Sequence, residues 1–376
     1  MIVRLLLALW IETSCSMKKL TVEQNNKSLV LFYRNERIQL ESRKQMDIYL
    51  KKAALHIIDR ESGDPIYSQS ELDLTKDYIR DYLTKKVQKL SSAQTKTGTL
   101  TEDSHFALLS QQAEHDFLPA SEKIVTRWYE AYKESEEAPS ADAFVVLYEE
   151  DTQMYLAFLK VNYHEGYTHL VDSDEKGLKN ELILHRALLS NKSQKADEGI
   201  VVHLSNLSYE LIEKKYPFSG EKRLYFSTQV IESRPAPSLE ENVRVIKKAA
   251  EKIGAKFENQ KHDVIADVKE AVYDVVEESG QIDAKIVAQK VFKDNVSAQL
   301  AFQEEVAEKG YVDQAPLLRE VREITEKKYG KQKLKLSNGI ELIVPLEVYR
   351  NPELIEFINN PDGTICMQSI KGRFSI

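Results

Sequence analysis

The sequence predicts an α+β protein in three parts: an N-terminal antiparallel-sheet domain with helices, a helical middle region and a small C-terminal region of β-hairpins. Short apolar runs separated by polar turns dominate the first 234 residues. Apolar residues then recur every three or four positions as far as residue 330. Two pairs of short strands close the chain, so the fold mixes both kinds of secondary structure.

The N-terminal α+β domain is assigned to residues 17–234. The spacing over 70–90 predicts a helix with Ser70 as N-cap, and a longer helical region over 104–133 breaks near Pro119. Strands are expected at residues 28–33, 53–58, 143–148, 154–161, 167–171, 181–184, 200–204 and 223–230. Short polar connections between these strands favour antiparallel pairing, with a hairpin across 143–161.

The first sixteen residues are treated separately, because residues 1–16 read as an over-extended start. The apolar run 5–11 is short for a signal-peptide core and Glu12 follows it at once, which leaves a weak secretion signal as the alternative. No later stretch approaches the ~20 apolar residues that span a bilayer. The two cysteines form no metal-binding or redox pair. The sequence therefore predicts a cytoplasmic protein that does not enter the membrane.

Residues 235–330 are predicted to be helical, because two prolines between Arg234 and Pro237 end the preceding domain. One apolar seam is expected on a single helix, formed by Leu239, Val243, Ile246, Ala250, Ile253 and Phe257. Further helices are expected at 264–276, 283–292, 297–309 and from about Pro316, with Asp263, Asp283 and Ser297 as caps. Residues 331–376 form two hairpins that pack on the rest, the first turning at Asn338-Gly339.

Several short segments follow one another in a characteristic order: residues 54–60 with 70–73, residues 143–148 followed by 155–159, residues 222–226, residues 307–311 and the two C-terminal hairpins. These segments resemble the nucleoid-associated NdpA/YejK family of bacterial proteins. Their common order carries the resemblance, which covers roughly residues 18–376. It implies a non-enzymatic protein of the nucleoid that binds double-stranded DNA, and it supplies no catalytic residues, cofactor or metal.

The formal net charge of −8 requires any DNA-binding surface to be a local basic patch, since phosphate binding depends on Lys and Arg. On the helix that begins near Leu239, cations repeat every four positions. They are Arg244, Lys248, Lys252 and Lys256, and Lys247 widens the stripe. Such a stripe follows phosphates along one side of a helix. The alternative is an ordinary solvated face, because Glu240, Glu241 and Glu251 share the helix.

The densest basic run provides a second candidate surface. It contains Lys327, Lys328, Lys331, Lys333 and Lys335, with Tyr329 placed to pack on a sugar or base. Lys333 and Lys335 fall on one face of a strand. The alternative is an edge strand whose lysines prevent edge-to-edge pairing. No helix-turn-helix or zinc-finger pattern is present in the sequence, so no base-specific recognition is predicted.

The sequence carries no glycine-rich phosphate loop and no nucleophile elbow. His115-Asp116, His262-Asp263 and His56 suggest a remote alternative, a metal-dependent phosphohydrolase, although helix capping is the stronger explanation of the two dipeptides. The predicted function is therefore non-catalytic DNA binding by a homo-dimer. The alternative is a protein–protein interaction module that joins other nucleoid proteins.

Overall fold

The computed structural model describes residues 8–11, 18–25, 28–34, 48–61, 63–174, 177–257, 261–311, 321–335, 341–351, 353–359 and 365–369. In chain order the elements are β1 (Ala8–Ile11), β2 (Lys18–Asn25), β3 (Ser28–Arg34), β4 (Tyr49–Ile58), α1 (Asp77–Gln88), β5 (Lys96–Thr99), α2 (His105–His115), α3 (Phe117–Tyr132), β6 (Ala141–Glu150), β7 (Gln153–Asp174), β8 (Gly177–Leu189), β9 (Glu198–His203), β10 (Ser208–Ile212), β11 (Lys215–Phe218), β12 (Glu221–Leu224), a π-helix (Phe226–Val230), α4 (Leu239–Lys256), α5 (Lys261–Ser279), α6 (Ala284–Phe292), α7 (Val296–Glu308), α8 (Val321–Tyr329), β13 (Lys331–Lys335), β14 (Glu341–Pro345), α9 (Leu346–Tyr349), β15 (Ile355–Asn359) and β16 (Ile365–Ser369). The predicted α+β class is confirmed.

These elements fall into two compact units. The sheet unit contains residues 45–242, and the helical unit contains the described residues of 1–44, 243–313 and 321–376. The boundary after Asn242 lies within α4. Among the described residues, no helix combines the length and the apolar character that crossing a bilayer requires.

The sheet unit is built on an antiparallel sheet with strand order β4-β6-β7-β9-β10-β5, and β8 pairs with the second half of β7. Alternate residues of β6 enter different cores. Ala143, Val145 and Leu147 pack in one core with Trp128 of α3. Phe144, Val146 and Tyr148 pack in the other core, which includes apolar side chains of α1. Helices therefore cover the sheet on both faces, which explains why β6 reads as a continuous apolar run.

Four predictions for the sheet unit were wrong in detail. The helix over 70–90 begins only at Asp77, because Asp73 Oδ1 accepts hydrogen bonds from the backbone and hydroxyl of Thr75 and holds a turn there. The expected strands 154–161 and 167–171 are one strand, β7. Residues 223–230 divide between β12 and the π-helix, since Phe226 and Val230 are buried beside α3. The break in the 104–133 helical region lies at Asp116, with Ser104 capping α2.

The helical unit contains α5 to α8 and most of α4, together with a sheet of order β1-β2-β3-β14-β13. The predicted seam on α4 is confirmed: its residues from Leu239 to Ile253 are buried, and Phe257 is half-buried. Gly254 allows the next helix to approach, because a Cβ there would lie 2.9 Å from Val264 Cγ2. Both C-terminal hairpins are confirmed in β13–β14 and β15–β16, while their turns lie outside the described residues.

Helix caps in this unit agree with the sequence only in part. Asp283 caps α6, accepting hydrogen bonds from the backbone of Lys285 and Ile286. The predicted cap Ser297 was wrong, because Asn295 accepts the hydrogen bond from the Ala298 backbone and α7 begins at Val296. Asp263 was also misassigned as a cap, since α5 already begins at Lys261. The start of the helix expected near Pro316 lies outside the described residues.

Candidate nucleic-acid interface

The cations of α4 are positioned by the way the helix begins. The Ser238 hydroxyl accepts a hydrogen bond from the Glu241 backbone, and the Glu241 carboxylate accepts one from the Ser238 backbone. This reciprocal capping box fixes the first turn. The apolar seam then enters the core, so Arg244, Lys248, Lys252 and Lys256 are exposed on the outer side and Lys247 is half-buried. The sequence-predicted stripe therefore exists as a surface.

The stripe is inclined to the helix axis. Each four-residue step rises about 6 Å and turns about 40°, because the α-helix has 3.6 residues per turn. From Arg244 to Lys256 the cations therefore extend over about 18 Å and wrap by about 120°. Three consecutive members share one face, whereas all four together follow a curved line.

Ion pairing divides the α4 cations into two groups. Lys252 contacts the Glu305 carboxylate of α7, which also contacts Lys309 at 2.7 Å. These two lysines lower the pKa of Glu305 to about 2. By contrast, within the described part of the chain, no carboxylate lies within ion-pair distance of Arg244, Lys248 or Lys256. Among the described residues, these three are therefore the α4 cations whose charge no carboxylate partner neutralises.

Lys269 of α5 extends this basic surface, and no pattern in the sequence predicts its position there. Burial lowers the pKa of Lys269, and the charge of Lys247 lowers it further. Two ammonium groups that repel each other are stabilised when an anion approaches both. The relation is not visible in the sequence, because it depends on how α4 and α5 pack. We call Arg244, Lys247, Lys248, Lys256 and Lys269 the α4 surface.

The second lysine run lies at the end of α8 and along β13. Lys327 pairs with Glu323 at 2.8 Å on the same helix, and Lys333 pairs with Glu341 at 2.8 Å on the neighbouring strand. Lys328 and Lys331 are exposed, and the side chain of Lys335 lies outside the described set. We call these five lysines the α8–β13 surface. Its lysines are more closely matched by carboxylates than those of the α4 surface.

Two structural details qualify the α8–β13 surface. Tyr329 is only 7% exposed, so the prediction that its ring packs on a sugar or base was wrong. The last turn of α8 packs the ring inward as the chain enters β13. β13 is also the terminal strand of its described sheet, where lysines are common on an exposed edge. An edge-protecting role and phosphate contact both remain compatible with this position.

A buried polar cluster lies in the core of the sheet unit. Lys160 Nζ contacts Glu198 Oε2 at 2.9 Å and donates a hydrogen bond to Tyr216 Oη at 2.7 Å. Tyr225 Oη donates to the same carboxylate at 3.1 Å and accepts from Trp128 Nε1 at 2.8 Å. Both charged side chains are 0% exposed. A substrate in solvent cannot reach them, so the cluster supports the core and offers no catalytic surface.

The histidines of the phosphohydrolase alternative have different surroundings. His56 is buried in β4, its Nδ1 accepts a hydrogen bond from the Ser68 backbone at 3.2 Å, and burial lowers its pKa to about 4. His115 ends α2, and Asp116 separates α2 from α3. Where the structure describes the chain, no three His, Cys, Asp or Glu side chains are grouped to hold a metal ion. The side chains of His262 and Asp263 lie outside the described set.

The fold and these surfaces define an α+β protein with a candidate anion-binding face on its helical unit. A family model for the nucleoid-associated protein YejK matches residues 54–372, which is most of the chain. The chain belongs to the nucleoid-associated protein YejK family, and the resemblance found in the sequence is confirmed. This membership supports a nucleoid-associated role. A search among curated proteins gave no match.

Proposed function

We propose that this protein is a non-catalytic, cytoplasmic DNA-binding protein of the nucleoid. It contacts duplex phosphates through the helical unit and has no dependence on base sequence. The observation that carries the proposal is the α4 surface, where Arg244, Lys248 and Lys256 are exposed without a carboxylate partner among the described residues. Cations that are not already neutralised give the largest gain when they displace counterions from DNA.

The spacing of the α4 surface is compatible with contacts to a phosphate backbone. Phosphates of one strand rise about 3.4 Å per nucleotide along the duplex axis, so steps of about 6 Å reach roughly every second phosphate. The long side chains absorb the remaining mismatch. Lys247 and Lys269 supply a further pair of charges at one point of the line. Contacts of this kind position a protein on DNA without selecting a sequence.

The α8–β13 surface is proposed as a second contact region. The Lys327 and Lys333 ion pairs are exposed, and exposed pairs contribute only about 0–1 kcal/mol. Either lysine can therefore exchange its carboxylate for a phosphate. The net gain per contact is smaller than on the α4 surface, because the released carboxylate must be solvated again.

A protein–protein interaction module on the nucleoid is the second candidate function. The net charge of −8 favours it, and so does a solvent-exposed apolar face on β7 and β8. Salt separates the two functions, since phosphate contacts weaken steeply as salt increases whereas an apolar interface changes much less. Pairing of two copies would let both α4 surfaces act on one duplex and raise avidity.

The test is fluorescence anisotropy of the full chain on random duplex DNA at several salt concentrations. The α4 variant carries Arg244→Gln, Lys248→Gln and Lys256→Gln. A plot of log K against log salt has a negative slope, and we expect this slope to be less steep in the variant by about 2.7 per chain, which is about 0.9 for each lost contact. Between 50 and 200 mM salt, those contacts account for about a 40-fold change in affinity.

A matched control removes the same charge from the sheet unit. Lys123→Gln, Lys215→Gln and Lys222→Gln neutralise three exposed lysines, and should leave the slope unchanged. Equal effects of the two triple variants would show that net charge alone matters and would refute the assignment. Absence of wild-type binding at low salt would refute direct DNA contact. A five-lysine α8–β13 variant measures that surface separately.

A further inference from the structure

The second half of β7 leaves the central sheet and forms a two-stranded extension. Residues 153–162 pair with β6, but from Tyr163 onward the described partner of β7 is β8 alone. We call residues 163–174 and 177–189 the ribbon. Isolated two-stranded ribbons are marginally stable in water, and stable ones pack against something else.

The register of the ribbon separates its residues into two faces. Directly opposed residues of antiparallel strands point to the same side. Tyr167 lies opposite Leu184, Val171 opposite Asn180, and Ser173 opposite Leu178, with the pair His169–Leu182 at the centre. We call the side chains of Tyr167, Val171, Leu178, Leu182 and Leu184 the apolar face. No Asp, Glu, Lys or Arg occurs among the residues of these four opposed pairs.

The apolar face is directed into solvent in the described chain. Leu178 is 82% exposed, Leu182 74% and Tyr167 69%. The other side of the ribbon carries the charged residues: Asp172 lies opposite Lys179, and Glu181 lies opposite Leu170, with Thr168 opposite Ile183 on the same side. Contiguous exposed apolar patches of this kind mark interaction sites, because leaving such side chains in water forgoes about 25 cal/mol for each Å². The ribbon is therefore amphipathic with its apolar side uncovered.

We propose that the apolar face binds the apolar face of a second copy of this chain. The ribbon sequence contains more carboxylates than Lys and Arg, so DNA phosphates do not suit it. An uncharged face is complementary to itself, and a twofold axis brings Leu, Val and Tyr against the same residues without opposing like charges. Two ribbons packed at about 10 Å form a small sandwich with both polar sides outward.

The area of the ribbon sets the strength of this contact. Strands of about 11 residues extend about 36 Å, and two strands are about 10 Å wide. Each face therefore covers on the order of 350 Å², and a facing pair on the order of 700 Å², below the ~1,200–2,000 Å² of stable complexes. We expect a reversible dimer whose population changes over micromolar concentrations. This inference concerns the pairing of copies in the proposed function and does not require DNA contact.

Sedimentation velocity of the full chain without DNA, over a range from about 1 to 100 μM, tests the contact. The wild type should change from monomer to dimer as concentration increases. Leu178→Lys with Leu182→Lys places two charges on the apolar face and should keep the protein monomeric. The control, Thr168→Lys with Leu170→Lys, adds the same charge to the polar side and should dimerise like the wild type.

A wild type that stays monomeric over this range overturns the proposal, and so does a dimer that persists in the apolar-face variant. A second measurement keeps the wild-type surface almost intact. A photo-cross-linking amino acid replaces His169, at the centre of the face, and illumination should give covalent dimers. Cross-links that form only within one chain would show that a segment of the same chain covers the face, and would refute the dimer. If the protein does not bind DNA, the dimer measured here without DNA is unaffected, so the two proposals can fail independently.

Discussion

The substitution Glu198→Gln tests the buried polar cluster of the sheet unit. Glu198 accepts hydrogen bonds from Lys160 Nζ, from Tyr225 Oη and, through Oε1, from the Lys214 backbone at 3.0 Å. Glutamine preserves the shape and one acceptor oxygen but removes the negative charge. Lys160 then keeps its hydrogen bond to Tyr216 Oη and the ring faces of Tyr132, at 4.2 Å, and Tyr216, but its ammonium group has lost its direct ion-pair partner.

The expected loss follows from the protonation of Lys160. Burial already lowers the pKa of Lys160, and Glu198 opposes that shift, so removing the carboxylate lowers the pKa further. Breaking a buried ion pair by removing one partner costs about 3–5 kcal/mol. The loss has an upper limit, because the lysine can lose its proton instead. At pH 7 that limit is about 5 kcal/mol for an ordinary pKa of about 10.4, and at pH 9 it is about 2 kcal/mol.

The sign of the pH dependence follows from this limit. In the variant, consider pH values between the lowered pKa of Lys160 in the folded chain and its ordinary pKa in the unfolded chain. In this range Lys160 is protonated in the unfolded chain but not in the folded chain. The stability deficit is therefore largest near neutral pH and decreases as pH rises toward the unfolded pKa. Urea unfolding at pH 7 and pH 9 measures it as a change in midpoint with unchanged slope.

A matched control uses the exposed pair Lys51–Glu149, whose charged atoms are 2.8 Å apart. Glu149→Gln should cost less than about 1 kcal/mol, because the pair is solvated. The double substitution Lys160→Met with Glu198→Gln should recover much of the loss, since no unpaired charge remains. A Glu198→Gln deficit below about 1 kcal/mol at pH 7, or one that is constant to pH 9, would refute the account of this cluster.

Two further outcomes concern a helix cap and a buried histidine. Asn295→Ala should lower the unfolding free energy by about 1 kcal/mol in urea titrations, because it removes the α7 cap. The control Ser297→Ala should change the unfolding free energy by less than about 0.5 kcal/mol. Equal losses in the two variants would contradict the assignment of Asn295 as the cap. Burial lowers the pKa of His56 to about 4. As the pH falls below the ordinary pKa of histidine, His56 therefore gains a proton in the unfolded chain but not in the folded chain. Wild-type stability should decrease by about 3 kcal/mol between pH 7 and pH 4 through this residue, and urea midpoints of His56→Gln should lack that part of the decrease.

The fold was predictable wherever a local pattern carried it. The seam from Leu239 to Ile253, the central hairpin over 141–162 and the C-terminal hairpins follow from periodicity and turn chemistry. Segments that depend on distant partners were not predictable. Ser208–Ile212 pairs with β5 and β9, and the Phe226–Val230 run becomes a π-helix because its apolar residues pack beside α3.

The candidate site shows the same division. The sequence by itself determined which cations lie on the outer side of α4, because the apolar seam fixes the orientation of the helix. It also determined the family, through phrases whose order extends along the chain. Only the tertiary structure decided that Glu305 neutralises Lys252, that Lys269 joins Lys247, and that Tyr329 is buried. Periodicity describes one element at a time, whereas charge pairing and burial arise when separate elements pack together.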